Sequence, residues 1–329
     1  MDLNVNVPSP SEQTLPPPTG QLEKHIRLLI LGSGPAGLAA ALYAARAELE
    51  PVVLAGMMLG GQVSLTFAVE NYPGFPDGVG GPQLADLFQK QAERFGAKVE
   101  FDTAIQVDFS KRPFMVKTYS TTYLADAVII ATGASSRRLD IPGEIELTGC
   151  GVSYCATCDG WFFKGKDIAV IGGGDSAVEE SLFLTRFANS VTIVHRRDTL
   201  RAGALLQDRA KNNPKIKFIL NSIPTKIIGK DAVQALRLQD VVTGKEHEIP
   251  IDGVFVFIGL SPNTELFQGQ IAMDEKGYIL IDNLMRTKVA GVFAAGEVAD
   301  SHFRQVITSA GMGAAAAIQA NHFLDEISN

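Results

Sequence analysis

The chain has 329 residues, 46% of them apolar, three cysteines and a formal net charge of −7, enough length and apolar content for two domains with separate cores. The acidic balance argues against a nucleic-acid or anionic-membrane partner, and no apolar run approaches the roughly 20 residues of a membrane span. Three cysteines are too few for a structural disulfide framework, so a reducing cytoplasmic setting is expected.

Residues 1–24 are polar and Pro-rich, with Pro16-Pro17-Pro18 and no basic segment leading into an apolar one; they read as a disordered tail and not as a secretory signal. Order is expected from His25. Ile26 to Leu31 is an apolar run of the kind found in buried parallel strands. Gly32-Ser33-Gly34-Pro35-Ala36-Gly37 follows at once, and an Ala-rich helical stretch from Leu38 to Ala47 comes next. Strand, G-x-G-x-x-G and helix in that order form a dinucleotide-binding turn. Gly32 makes the turn, Gly34 admits a pyrophosphate, Gly37 packs helix on strand, and the helix N-terminus offers free N–H groups.

The pattern repeats. Lys166 to Ile171 is a second strand, Gly172-Gly173-Gly174-Asp175-Ser176-Ala177 a second turn, and a helix runs on through Phe187. Gly32, Gly34 and Gly37 map onto Gly172, Gly174 and Ala177 at a constant offset of 140 positions. Asp126 to Gly133 and Asp252 to Gly259 are a further matching pair, each an apolar strand ending in glycine. The chain thus carries two copies of one dinucleotide-binding unit.

The copies differ about 20 positions past the turn, where an acid would bind ribose hydroxyls. The second copy has His195-Arg196-Arg197 there, with Arg201 one helical turn on. Guanidinium groups suit a 2′-phosphate, which favours NADPH over NADH. The first copy has Ala55, so its nucleotide must be held by other groups, with the Gly56 to Val63 segment as the candidate. Pro82 to Phe95 has helical period. Val99 to Tyr119 reads as short strands around Arg112-Pro113, forming a small sheet carried on the first unit. After Gly259 comes the polar stretch Leu260 to Thr264. Near the C-terminus, Gly291 to Glu297 reads as a strand meeting an acidic turn, and Ser309 to Asp325 as a helix that needs the first unit as its partner.

Between the two copies lies Cys155-Ala156-Thr157-Cys158-Asp159-Gly160. Such a pair in a reducing compartment is redox-active or a metal ligand. A closed zinc site needs four ligands. Only Cys150 and the scattered His25, His195, His247, His302 and His322 remain, so no metal site is expected.

Taken together, the two glycine turns, Gly60-Gly61-Gln62, Glu70-Asn71-Tyr72-Pro73-Gly74, Ala131-Thr132-Gly133, Cys155 to Gly160, His195-Arg196-Arg197 with Arg201, and Arg304-Gln305 resemble the low-molecular-weight, bacterial-type thioredoxin reductases over residues 26–325. The resemblance implies an α/β chain of two Rossmann-like dinucleotide-binding domains. The FAD domain is discontinuous (25–135 and 260–329), and the NADPH domain with the redox pair spans 136–259. It implies a homodimer and thioredoxin as electron acceptor. Carried over by position, FAD would be lined by the first glycine turn with Ser33, Pro35 and Ala36, by Gly61, Gln62, Asn71, Thr132 and Gly133, and by Gly296, Glu297, Arg304, Gln305 and Val306. NADPH would be held by Gly172, Gly174, Asp175, Ser176, His195, Arg196, Arg197 and Arg201.

On the same analogy Cys158 is the cysteine nearer the flavin and Cys155 exchanges with thioredoxin. Asp159 moves the protons as a general acid–base, or caps the segment that follows. The helix from Val306 would aim its N-terminus at the flavin pyrimidine edge. Glu297 departs from the family's Asp by one methylene. Cys150 stands where a basic or polar residue is usual and is read as a spectator, with a pairing to Cys155 left open. A reductase of another disulfide, a ferredoxin–NADP reductase and a nucleotide-binding redox sensor are the alternatives; the second has no use for the cysteine pair. Both nicotinamide and disulfide would need one flavin edge, so motion is expected, with hinges at Gly133–Ser136 and Gly259–Asn263.

Overall fold

The computed structural model describes residues 22–66 and 68–328; the expected tail up to residue 21 lies outside the described residues. The first sheet begins with β1 (Leu22–Leu31), α1 (Pro35–Arg46), β2 (Val52–Leu54), α2 (Gly81–Glu93) and β3 (Lys98–Glu100), the three strands pairing in parallel. The apolar run Leu28 to Leu31 is buried because helices and strands cover both faces of the sheet there. The strand starts at Leu22, however, and not near Ile26. Its first half pairs with residues 121–125 and alternates between exposed and half-buried positions, and Lys24 Nζ reaches Glu100 Oε1 at 3.1 Å. An apolar run marks only the half of a strand that is covered on both sides.

The small sheet expected on the first unit is an extension of that unit's main sheet. β4 (Ala104–Asp108) and β5 (Phe114–Thr118) extend the first sheet through β6 (Thr121–Ile130), giving the order β3-β2-β1-β6-β5-β4. Because β6 is ten residues long, its first half pairs antiparallel with β5 while its whole length runs parallel to β1. Phe109 and Phe114 meet edge to face, and Phe109 stacks on Phe267, closing the core beneath these added strands.

The chain leaves the first unit by β7 (Ala134–Ser136). It continues through β8 (Val152–Ser153), α3 (Ala156–Asp159), β9 (Asp167–Ile171), α4 (Asp175–Leu184), β10 (Ser190–Val194), α5 (Ala204–Lys211) and β11 (Ile216–Ile219). β12 (Ser222–Gly229), β13 (Val233–Asp240) and β14 (Glu246–Pro250) form an antiparallel three-stranded sheet, and β15 (Gly253–Val256) returns to the parallel one. The parallel order is β11-β10-β9-β15-β8. Leu236 and Leu238 of the antiparallel sheet pack with Val254 and Val256 on one face.

β16 (Leu260–Pro262) carries the chain back, pairing antiparallel with β7. β17 (Val292–Ala294) then joins the first sheet parallel to β6, and α6 (Val306–Ser328) packs on α1. The helices approach closely because a Cβ on Gly313 would stand 2.0 Å from Ala36 O. Ala316, Ala317 and Ala320 fill the seam with Ala36, Ala40 and Ala44. The chain is therefore two Rossmann-like units, the first completed by the C-terminal segment.

Candidate active site

At the first turn each glycine meets a specific demand. Gly32 has φ +109°, and a Cβ there would lie 2.3 Å from Ala131 O; one on Gly37 would lie 1.9 Å from Gly32 O. Gly34 is different: a Cβ there meets nothing within 4 Å, and no side chain caps the helix that Pro35 opens. A small open space thus faces the free N–H groups of the first turn, as a pyrophosphate requires. Ser33 is buried, and its hydroxyl lies 3.1 Å from Ala55 O and 3.3 Å from Met58 O. That contact, with Gly60 N donating to Ser33 O at 3.0 Å, folds the 56–61 segment over the turn and sets Gly61 against Gly34. Gln62 Nε2 donates to Ala134 O, tying this segment to the first crossing.

The second turn is built alike. Gly172 has φ +151°, and Gly174, the N-cap of α4, has no side-chain cap and only Arg201 Nη2 near its Cβ position, at 3.9 Å. Arg201 N and Ala202 N both donate to Gly173 O, at 2.6 and 3.1 Å, so the loop after β10 doubles back onto the glycines. Asp175 is engaged by Gly203 N at 2.7 Å, while Ser176 stays exposed. Arg196, Arg197 and Arg201 stand exposed beside this cradle. His195 does not join them: its ring is buried against Gly173, and burial, then the neighbouring arginines, hold it below its ordinary pKa.

Cys155 and Cys158 are disulfide-bonded, with Cα atoms 5.3 Å apart, and Cys150 is free and exposed. Cys155 caps α3, accepting from Cys158 N at 3.2 Å. Ser153 Oγ donates to Asp159 Oδ2 at 2.6 Å and accepts from Cys155 N at 3.1 Å, so this buried serine joins both ends of the motif. Burial raises the Asp159 pKa, and the Ser153 hydrogen bond opposes the rise. Nothing in the sequence marked Ser153 for this role. Nor did it mark Glu144, fully buried, which accepts from Leu139 N at 2.9 Å, Asp140 N at 2.7 Å and Tyr154 Oη at 2.8 Å and so anchors the strand leading into the motif.

The two units meet at this disulfide. Gln305, just before α6, donates through Nε2 to Thr157 Oγ1 at 3.0 Å and accepts from Asn71 Nδ2 at 3.2 Å. Val306 packs with Val63, Val69 and Leu84, which holds the start of α6 against the 61–65 turn. Gly296, at φ +79°, abuts Ala36, and burial raises the pKa of Glu297 although Arg304 opposes it. Thr132 and Gly133 lie one step away in the ribbon, Thr132 Oγ1 donating to Asn263 O at 2.7 Å and Asn263 N to Gly133 O at 2.9 Å. Contacts thus link the first turn to Gly61 and Gly296, and Asn71 to Gln305, which in turn meets Thr157 of the disulfide motif. The second turn and its arginines form a separate cradle on the other sheet.

Two dinucleotide cradles and a disulfide between them define a scaffold for passing electron pairs between nucleotides and thiols. The chain belongs to the pyridine nucleotide-disulphide oxidoreductase family, whose model matches residues 26–313. It is an oxidoreductase, and membership implies use of a flavin and a nicotinamide nucleotide. It is 50% identical over 305 residues to a thioredoxin reductase of Streptomyces coelicolor, covering 92% of this chain and 95% of the relative. Among solved structures, a thioredoxin reductase from Streptococcus pyogenes superposes with a TM-score of 0.88 at 43% identity. One from Lactococcus lactis, described as the FR conformation, gives 0.62 at 42% identity. Each alignment covers 92% of this chain and 99% of the solved one.

Proposed function

We propose that this chain is an NADPH-dependent thioredoxin reductase. It holds FAD at the glycine turn of the first unit and NADPH on the second, and passes electrons through Cys155–Cys158 to thioredoxin. The observation that carries the reading is the disulfide itself, backed by Asp159 and bridged to the first unit through Thr157 and Gln305. The open spaces at Gly34 and Gly174 fit two dinucleotides, and the exposed Arg196, Arg197 and Arg201 suit a 2′-phosphate. When bound, FAD supplies the two-electron relay between nicotinamide and disulfide.

The chain's own residues do the rest. Cys158 receives the reducing pair, Cys155 exchanges with the thioredoxin disulfide, and Asp159, whose pKa burial raises, supplies and recovers the proton. We place the domain boundaries at the β7–β16 ribbon, with 136–259 as the NADPH domain, and expect a cytoplasmic homodimer. Sedimentation of the purified protein tests the dimer.

The deciding experiment is Cys158→Ser in a coupled assay with NADPH, NADH and the organism's own thioredoxins. NADPH still bleaches the flavin of the variant and thioredoxin reduction vanishes. Retained thioredoxin turnover, or equal use of NADH by the unaltered enzyme, defeats the reading.

A further inference from the structure

We propose that Thr157, held by Gln305, is a positioning residue that turns its hydroxyl proton onto Cys155 Sγ and stabilises the negative charge appearing there when the disulfide opens. Thr157 Oγ1 lies 3.4 Å from Cys155 Sγ, within hydrogen-bonding reach of sulfur. Gln305 Nε2 donates to the same oxygen at 3.0 Å and so occupies one of its lone pairs. A hydroxyl has a single proton, which is then directed at the sulfur. The end of the Gln305 amide that faces Thr157 is fixed twice over. Its Nε2 also lies 3.3 Å from Phe303 O and 3.1 Å from Arg304 O, both acceptors, and its Oε1 accepts from Asn71 at 3.2 Å. With the Cys158 N–H at 3.2 Å, Cys155 Sγ has two donors aimed at it.

Resting on the function proposed above, the chemistry balances as follows. Cys158 Sγ would take two electrons and a proton from the reduced flavin of that reading and become a thiol, while the S–S bond breaks and its bonding pair departs on Cys155 Sγ as a thiolate. Hydrogen bonds to an ionised partner are roughly twice as strong as those between neutral groups, so the Thr157 donor acts most when that charge forms. A leaving thiol of lower pKa departs faster. The sulfur so stabilised is also the one that must attack the next disulfide. The clasp that orients Thr157 spans the two units, so this assistance is present when the disulfide is docked on the first unit.

The test uses the full flavin-loaded chain carrying Cys150→Ser and Cys158→Ser, which leaves Cys155 as the only cysteine. The rate of its alkylation by iodoacetamide is followed against pH. Adding Thr157→Val moves the midpoint upward by about one pH unit, the size expected for one lost charge-assisted hydrogen bond, and Thr157→Ser restores it. Thr157→Ala gives the same upward shift without a β-branched side chain and serves if the valine variant fails to fold. An unmoved midpoint in the variants lacking the hydroxyl, or a serine variant that behaves like valine, overturns the inference. Alkylation requires neither NADPH nor thioredoxin. A shifted midpoint in a chain that fails to reduce thioredoxin would therefore defeat the proposed function and leave this inference standing.

Discussion

At the level of single residues the proposed chemistry turns on Asp159. Its carboxyl is raised above its ordinary pKa by burial while the Ser153 hydroxyl pulls the other way. Between the ordinary and the raised value the folded chain binds a proton that the unfolded chain has released, so stability falls as pH rises through that window and levels off above it. Asp159→Asn should flatten this slope in melting temperature against pH, leaving the part due to Glu180 and Glu297, which burial also raises. The same variant should lower thioredoxin turnover by about a hundredfold or more, the usual contribution of a positioned general acid. Near-normal turnover would reduce Asp159 to a structural partner of Ser153. Cys155, Cys158 and Asp159 were legible in the sequence because their spacing is itself the signal. Ser153 and Glu144 were not, since a serine six positions before an aspartate becomes its partner only when a single helical turn folds the motif back.

The glycine turns show why whole elements were easier to read. Gly37 answers a contact within its own turn, whereas Gly32 and Gly172 answer the close approach of Ala131 and Phe257 from a neighbouring strand; the fixed spacing of the glycines is what the sequence records. The two kinds of glycine should separate on substitution. Gly37→Ala, with its Cβ 1.9 Å from Gly32 O, should destabilise the fold by about 1–3 kcal/mol, the ordinary cost of overpacking. Gly34→Val places its side chain in open space, so circular dichroism and melting should stay near those of the parent while the purified protein carries less flavin. Full flavin content in that variant would move the pyrophosphate elsewhere. On the second unit, Arg196→Ala with Arg201→Ala should raise KM for NADPH about ten- to hundredfold, as expected for lost charge-assisted hydrogen bonds, and leave KM for NADH nearly unchanged. The edge strand β14 of the antiparallel sheet went unread for the opposite reason. Glu246 to Pro250 is exposed or half-buried throughout, so it lacks the apolar alternation that marks a strand.

For the whole molecule the question is how the two units sit relative to each other, which no local pattern records. Here the disulfide is docked beside the first unit through Gln305 and Thr157. The two units are joined by the β7–β16 ribbon, where Arg137 N donates to Gly259 O at 3.0 Å and Asn263 Nδ2 to Thr132 O at 2.8 Å. A paired ribbon of three residues a side can twist as one body without unravelling either unit. The solved relatives point the same way. Two chains of nearly equal identity, 43% and 42%, superpose at 0.88 and 0.62, a gap that identity does not account for and a rotation of one unit would. If the nicotinamide must replace the disulfide beside the flavin, fixing the docked arrangement should stop flavin reduction and leave both units folded. Thr157→Cys with Gln305→Cys, in a background with all three native cysteines replaced by serine, supplies two thiols across the contact that a short bis-maleimide can join. In stopped-flow mixing with NADPH, the joined protein should keep its oxidised flavin spectrum while the unjoined variant bleaches. Equal bleaching would mean that NADPH reaches the flavin without the second unit leaving its place.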